Sequence, residues 1–271
     1  MAWRGAVSPS SQRSTLPKLP PLDAHAHIAA AISAADLDAL GAAVVAVTRT
    51  PVEWRLVSRR NDSLTVWALG VHPGVPSAIR AYSAGSFRDE VAHRPIVGEV
   101  GLDTTSPVEM QRQQQVLVDI LQAVADRPRL ISLHSRGACG PLLEAIEAHT
   151  VRAPVLHWWA GTKAQTARAV DLSCFFSVNG AQPVTLLRQL PRGRIITETD
   201  FPFTRRRDPR ATRPGEVATV EATLASIWGM TAEAVRVRIW RNFRDALPAE
   251  ALPLMPSAWR RILGGLGSDA N

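Results

Sequence analysis

Donor side chains recur at the ends of apolar runs along this chain, and their types suit divalent metal ions. His25 and His27 stand two residues apart at the end of Leu22–Ile28. In an extended strand, positions i and i+2 share a face, so the two imidazoles project side by side. Glu99 and Asp103 lie in Ile96-Val97-Gly98-Glu99-Val100-Gly101-Leu102-Asp103. His134 ends Leu130–His134, His157 follows Pro154-Val155-Leu156, and Asp200 follows Ile195-Ile196-Thr197-Glu198-Thr199. A single histidine at a strand end is more often structural. The case rests on His25, His27, Glu99, His134, His157 and Asp200 together, all nitrogen or oxygen donors without a thiolate. A tetrahedral catalytic zinc needs three protein ligands. Six suit two ions about 3.5–4 Å apart that share a carboxylate and a water. The expected cofactor is therefore a pair of divalent ions, Mg, Mn or Zn.

These residues need a frame that brings strand ends together. Short β-branched runs alternate with stretches of helical spacing. The strand candidates are Leu22–His27, Ala42–Thr48, Leu64–Val71, Pro95–Leu102, Leu130–His134, Pro154–Trp158, Cys174–Val178 and Arg194–Glu198. Helices are expected at Ser33–Leu40, Pro51–Arg60, Ile79–His93, Gln111–Ala125, Cys139–Ala148, Thr162–Leu172, Val184–Leu190, Pro214–Trp228 and Thr231–Leu247. Such alternation over this length predicts an α/β fold, a (β/α)8 TIM barrel, with the chemistry at the C-terminal ends of the strands. An open doubly wound sheet is the alternative. The domain is expected to run from 22 to 263. A Ser/Pro-rich disordered leader covers 1–21 and a disordered tail 264–271.

The formal net charge is +7, and Lys18 and Lys163 are the only lysines, so arginine carries the positive charge. A basic domain favours polyanions, with nucleic acid foremost. No apolar run is long enough to span a membrane. Cys139 and Cys174 set no disulfide framework and suit a reducing compartment, so a cytoplasmic setting is expected.

Taken in order, the pieces resemble the TatD family of metal-dependent nucleases. They are Asp23-Ala24-His25-Ala26-His27, Gly70-Val71-His72-Pro73, Gly98-Glu99-Val100-Gly101-Leu102-Asp103, Leu133-His134-Ser135-Arg136, His157-Trp158-Trp159-Ala160-Gly161, Glu198-Thr199-Asp200-Phe201-Pro202 and Arg241-Asn242-Phe243. His157-Trp158-Trp159 and Phe176-Ser177-Val178-Asn179 resemble most the TatD-type members of the bacterial Qat anti-phage systems. Thr104 and Trp158-Trp159 depart from the residues common in the family, which bears on substrate preference and leaves the metal-binding set intact.

The resemblance implies a dinuclear site in which His25, His27 and Asp200 hold one ion, His134 and His157 the second, and Glu99 bridges. The lysine positions give Glu99 separate support, because neither lysine lies on a strand where a carboxylated lysine could bridge. Asp200 and Glu99 form the catalytic pair, with Asp200 also accepting a proton from the attacking water. The implied activity is DNA phosphodiester hydrolysis on single strands or ends, with protein partners from a defence operon. Arg136, two residues past His134, suits bidentate phosphate contact or a surface ion pair. His72 suits substrate contact or a buried hydrogen bond. Asp103 and Glu198 are expected to orient ligands. Trp159 suits rim packing first and base stacking second. Arg205, Arg206 and Arg207, with Arg210 and Arg213 nearby, fall in the loop after the last strand and would draw in a polyanion. A small-molecule amidohydrolase of the same fold and a nucleic-acid-binding subunit with little activity of its own are the rival readings.

Overall fold

In this computed structural model, residues 19–266 are described. Eight strands appear in chain order: β1 (Leu22–Ala26), β2 (Ala43–Val47), β3 (Thr65–Ala68), β4 (Ile96–Asp103), β5 (Leu130–Arg136), β6 (Val155–His157), β7 (Phe175–Val178) and β8 (Ile195–Thr197). All ladders are parallel, in the orders β1-β2-β3 and β4-β5-β6-β7-β8. Nearly every strand residue is buried, as expected where side chains fill the barrel on one face and meet helices on the other.

Two seams join the ladders into a barrel and exclude the open sheet. Past the end of β3, Gly98 donates to the Leu69 carbonyl at 2.8 Å and Leu69 to Ile96 at 3.2 Å. Between β8 and β1, the Thr197 hydroxyl donates to the Leu22 carbonyl. Just beyond, Asp200 N donates to the His25 carbonyl and His27 N to the Phe201 carbonyl, both at 2.8 Å. The last seam therefore forms from the segments that carry His25, His27 and Asp200. Across β4 and β5, a Cβ on Gly101 would lie 2.1 Å from the His134 carbonyl oxygen, and Gly101 has φ +144°. Only glycine allows those two backbones to meet so closely.

The helices form the outer layer. They are α1 (Ala34–Asp38), α2 (Pro51–Val57), α3 (Pro76–Ala81), α4 (Ala84–Val91), α5 (Met110–Asp126), α6 (Cys139–Ala148), α7 (Lys163–Asp171), α8 (Val184–Leu187), α9 (Ala218–Trp228), α10 (Ala232–Ala246) and α11 (Ser257–Gly265). Local signals explain several boundaries. Thr50 caps α2 ahead of Pro51, and Thr162 and Gln165 form a capping box on α7. The helix expected over Ile79–His93 is two. Tyr82 is extended, and the Ser83 hydroxyl caps a fresh start at Ala84. The helix expected from Pro214 begins at Ala218, because Gly215 sits at φ +85°.

The chain also closes differently than expected. Helix α11 lies beyond Leu247, with Trp259 packed 5.3 Å from both Trp240 and Phe243. The leader and tail expectations fall largely outside the described residues. At their inner edges, α11 runs on to Gly265. Leu19 packs on the core, and the Pro20 carbonyl accepts from Trp240 Nε1 at 2.8 Å. Asn242 of α10 donates to the Ile195 carbonyl at 2.7 Å and the Arg192 carbonyl at 2.8 Å, latching the helix to the start of β8.

Candidate metal centre

The expected donors meet at the C-terminal mouth of the barrel. His27 Nε2 lies 3.3 Å from Glu99 Oε2 and 3.4 Å from Asp200 Oδ1. His25 Nε2 lies 3.6 Å from Glu99 Oε2 and 3.9 Å from Asp200 Oδ1. The other Glu99 oxygen faces His134 Nδ1 at 2.5 Å and His157 Nε2 at 3.7 Å. Glu99 thus has one oxygen toward the His25/His27 pair and the other toward the His134/His157 pair. Three donor groups, each within 4.8 Å of one another, could hold an ion: His25/His27/Asp200, His25/His157/Glu198 and His72/Glu99/His134. The first matches the expected ligand set. His134 and His157 fall in different groups, although their rings lie 5.9 Å apart and near parallel.

The donors fit a cation, because they are buried and lack other partners. His25 Nε2, Glu99 Oε2, His134 Nδ1 and Asp200 Oδ1 are all inaccessible and make no hydrogen bond. Buried polar atoms are normally satisfied. Such atoms, nitrogen and carboxylate oxygen gathered on the two sides of Glu99, have the donor chemistry of divalent metals.

Neighbouring residues fix the orientation of each donor. The Ser132 hydroxyl meets His25 Nδ1 at 2.9 Å and turns Nε2 toward the centre. Glu198 Oε2 does the same for His157 Nδ1 at 2.9 Å, and Glu198 is itself held by the Ser177 hydroxyl and by Asn179 Nδ2. Asp103 Oδ2 meets His134 Nε2 at 3.2 Å, while its own backbone amide donates to Gln113. These contacts set tautomers and aim lone pairs. Asp23 is buried below His25 and accepts from Thr199 N, Thr199 Oγ1 and Gly215 N at 2.6–2.8 Å. It pins the turn in which Asp200 takes φ +46°.

The electrostatics follow from this packing. Burial alone would raise the Glu99 carboxyl, but His72 and His134 beside it hold it well below the usual range. Burial would lower His27 and His134, yet Asp200 and Glu99 raise His27 to about 9, and Glu99 and Asp103 raise His134 to about 10. Burial takes His72 down to about 4. Its Nδ1 accepts from the Gly74 amide at 2.8 Å, so the neutral ring carries its proton on Nε2, 3.3 Å from Glu99 Oε2. His72 therefore stands at the edge of the cluster as a neutral ring, and no hydrogen bond joins it to Glu99.

Above the donors opens a cavity of about 1180 Å³, larger than most small-molecule pockets. Arg49, Arg136, Arg206 and Arg207 line it; Arg205 is exposed and does not. Of the two tryptophans after His157, Trp159 is fully buried and bonds Thr166, so packing is its role. Trp158 is the one that faces the cavity. β6 ends at His157, and Trp158 turns at φ +40°, which breaks the alternation assumed from sequence.

A family model described as TatD related DNase matches residues 22–248. The chain belongs to the TatD family. With that membership it is a metal-dependent hydrolase of the nuclease type. It is 26% identical over 247 residues to human deoxyribonuclease TATDN3, covering 79% of this chain and 89% of that protein. It is 28% identical over 145 residues to the 3′-5′ ssDNA/RNA exonuclease TatD of Klebsiella pneumoniae (strain 342), covering 48% of this chain and 55% of that one. Among solved structures it matches YJJV, a TatD homologue from Escherichia coli, with TM-score 0.71 and 23% identity over 83% of this chain and 97% of that chain. It also matches the Escherichia coli phosphotriesterase homology protein with TM-score 0.57 and 14% identity, which speaks for the shared barrel.

Several TatD-site residues were not singled out from sequence. Ser132 lies two before His134 on β5, and Asn179, just past β7, lies two after Ser177, so alternation carried their signal. Arg49 follows β2, where no charge pattern marked it. Asp23 stood in the quoted motif without a role, although it alternates with His25 and His27. No helix among the described residues is long and apolar enough to cross a membrane.

Proposed function

We propose that the protein hydrolyses phosphodiester bonds in DNA, working from unpaired ends, at a dinuclear metal site formed by His25, His27, Glu99, His134, His157 and Asp200. The observation that carries this reading is Glu99. It is fully buried, with its oxygens turned toward separate histidine pairs and Oε2 left without a hydrogen bond. A carboxylate so placed would serve as a bridge between two cations. The arginine rim adds support, because a neutral substrate would not need four guanidinium groups around the mouth. The naming of a related protein as a 3′-5′ ssDNA/RNA exonuclease points the same way.

His25, His27 and Asp200 would hold one ion, and His134 and His157 the second. When bound, such ions lower the pKa of water toward neutrality and offset charge on phosphate oxygens. Asp200 Oδ1 faces the centre and accepts the proton of the attacking water. His72 Nε2–H and Arg136 donate to the non-bridging phosphate oxygens and hold the phosphorus in line. Arg206 and Arg207 hold the strand as it enters, with Arg205 outside that contact.

The reading places the enzyme in the cytoplasm, where Cys139 and Cys174 stay as free thiols. It also assigns a role in anti-phage defence beside operon partners, on the strength of the stretches 157–159 and 176–179. A panel of single- and double-stranded DNA and RNA, run with Mg, Mn or Zn and with EDTA as control, tests the activity. Release of nucleotides from single-stranded DNA, abolished by EDTA, is the expected result. Hydrolysis of none of these polymers with any of the three ions would overturn the reading.

A further inference from the structure

Two aromatic side chains at the mouth are unexplained by the chemistry of the centre. Phe203 is 54% exposed, although it lines the cavity next to the metal donors. Its ring stands edge-on to His27, with centroids 4.9 Å apart. Trp158 lines the same cavity, near perpendicular to His157 at 6.3 Å. It is held at φ +40°, a conformation that bulky side chains rarely adopt and that recurs at functional sites. An extended residue at 158 would continue the strand. The left-handed turn lets Trp159 fill the core while Trp158 faces the cavity. The Arg207 guanidinium lies 5.8 Å from the Trp158 ring centroid. One corner of the mouth thus presents a flat apolar ring with a cation against it. The other presents an uncovered ring, and the metal donors lie beside both.

A nucleotide has the matching parts, a flat base joined to a phosphate. We propose that Trp158 and Phe203 are base-stacking platforms that select strands whose terminal bases are unpaired. Arg207 orients Trp158 and contacts the phosphate of the stacked nucleotide. This deepens the phosphodiesterase reading above and rests on it. A base inside a duplex is already stacked on both faces and cannot lie on either ring. An unpaired base can, and stacking tolerates every base because each has a π face. The platforms therefore impose selection for single strands without selection for sequence.

The test compares two ligands with the same phosphodiester backbone. One is a fluorescein-labelled oligothymidylate; the other is a chain of equal length carrying abasic sugars. Binding is followed by anisotropy with the full-length protein in EDTA and again in manganese, there with cleavage-resistant phosphorothioate versions of both chains. Wild type is expected to prefer the base-bearing chain by roughly tenfold or more, within the range that base–aromatic stacking supplies. Phe203→Ala and Trp158→Ala should each lose several-fold of that preference, and the double variant should bind both chains alike. Affinity for the abasic chain should stay at the wild-type value throughout, and Trp158→Phe should keep most of the preference. A double variant that retains the full preference would overturn the platforms. So would Trp158→Ala weakening both chains equally, since that marks a structural role. Equal binding of both chains by wild type would also overturn them while leaving the nucleic-acid reading in place. Failure of wild type to bind either chain in either condition would remove that reading, and the platforms with it.

Discussion

Asp200 combines a strained backbone with a side chain that has no hydrogen bond at Oδ1. Asparagine tolerates the same left-handed conformation, so Asp200→Asn tests chemistry with little cost to folding. On the proposed role, kcat falls by roughly 10²–10⁴-fold, the usual span for removal of a general base, while DNA affinity changes only a few-fold. Affinity falling as steeply as kcat, in parallel binding and rate measurements, would withdraw the proton-acceptor role. The raised values of His27, about 9, and His134, about 10, predict a second outcome. Both rings are protonated at neutral pH without metal and must be neutral as ligands, so loading releases protons and weakens as pH falls. Calorimetric titration with zinc at about pH 7.5 should show heats that vary with the buffer's ionisation enthalpy, the mark of net proton release. Heats independent of buffer would contradict the ligand assignment. At this scale the meeting of these side chains at the mouth was legible in sequence, because alternation puts His25 and His27 on one face and the others lie on or just past other strands. The residues that orient them were less so: Ser132 on β5 and Asn179 just past β7 are ordinary polar residues until the side chains they meet are known.

At the scale of elements, the order of strands and helices was readable from apolar runs and caps, and the breaks were not. Tyr82 carries no glycine or proline signal, so the division between α3 and α4 shows only in its extended backbone. Trp158 likewise follows Val155-Leu156-His157 with no glycine or proline to mark a turn, and its turn goes with Trp159 being buried in the core. Helix α11 was missed because Ser257–Gly265 is short and follows Pro253 and Pro256. Its value lies in covering Trp240 and Phe243 of α10, the helix whose Asn242 holds β8. Asn242→Ala would remove the Asn242 donor from the buried Ile195 carbonyl and from the part-buried Arg192 carbonyl. A loss of about 2 kcal/mol is expected, seen in urea unfolding as a lower midpoint with unchanged slope. A loss under about 0.5 kcal/mol would show that the latch contributes nothing beyond a surface substitution.

For the whole molecule, the formal charge is +7, and Arg49, Arg136, Arg206 and Arg207 are the arginines that gather at the mouth. Sequence could place Arg205, Arg206 and Arg207 only as a run; the loop's path divides them. Neutralising Arg206 and Arg207 to Gln should reduce the slope of log K against log salt by ~0.7 for each phosphate left without its guanidinium, while Arg205→Gln should leave it near wild type. KM for a labelled oligonucleotide at several salt concentrations reads this, and parallel slopes for all variants would take the loop out of the binding site. The account as a whole depends on two ions joined by Glu99. Metal-stripped protein titrated with manganese, with nucleotide release from single-stranded DNA measured at each step, tests that dependence most directly. Activity should stay low through the first equivalent and reach its maximum at the second, and Glu99→Gln should hold one equivalent and lose most turnover. Full activity at one equivalent, or a Glu99→Gln variant that binds two ions and turns over near the wild-type rate, would contradict it.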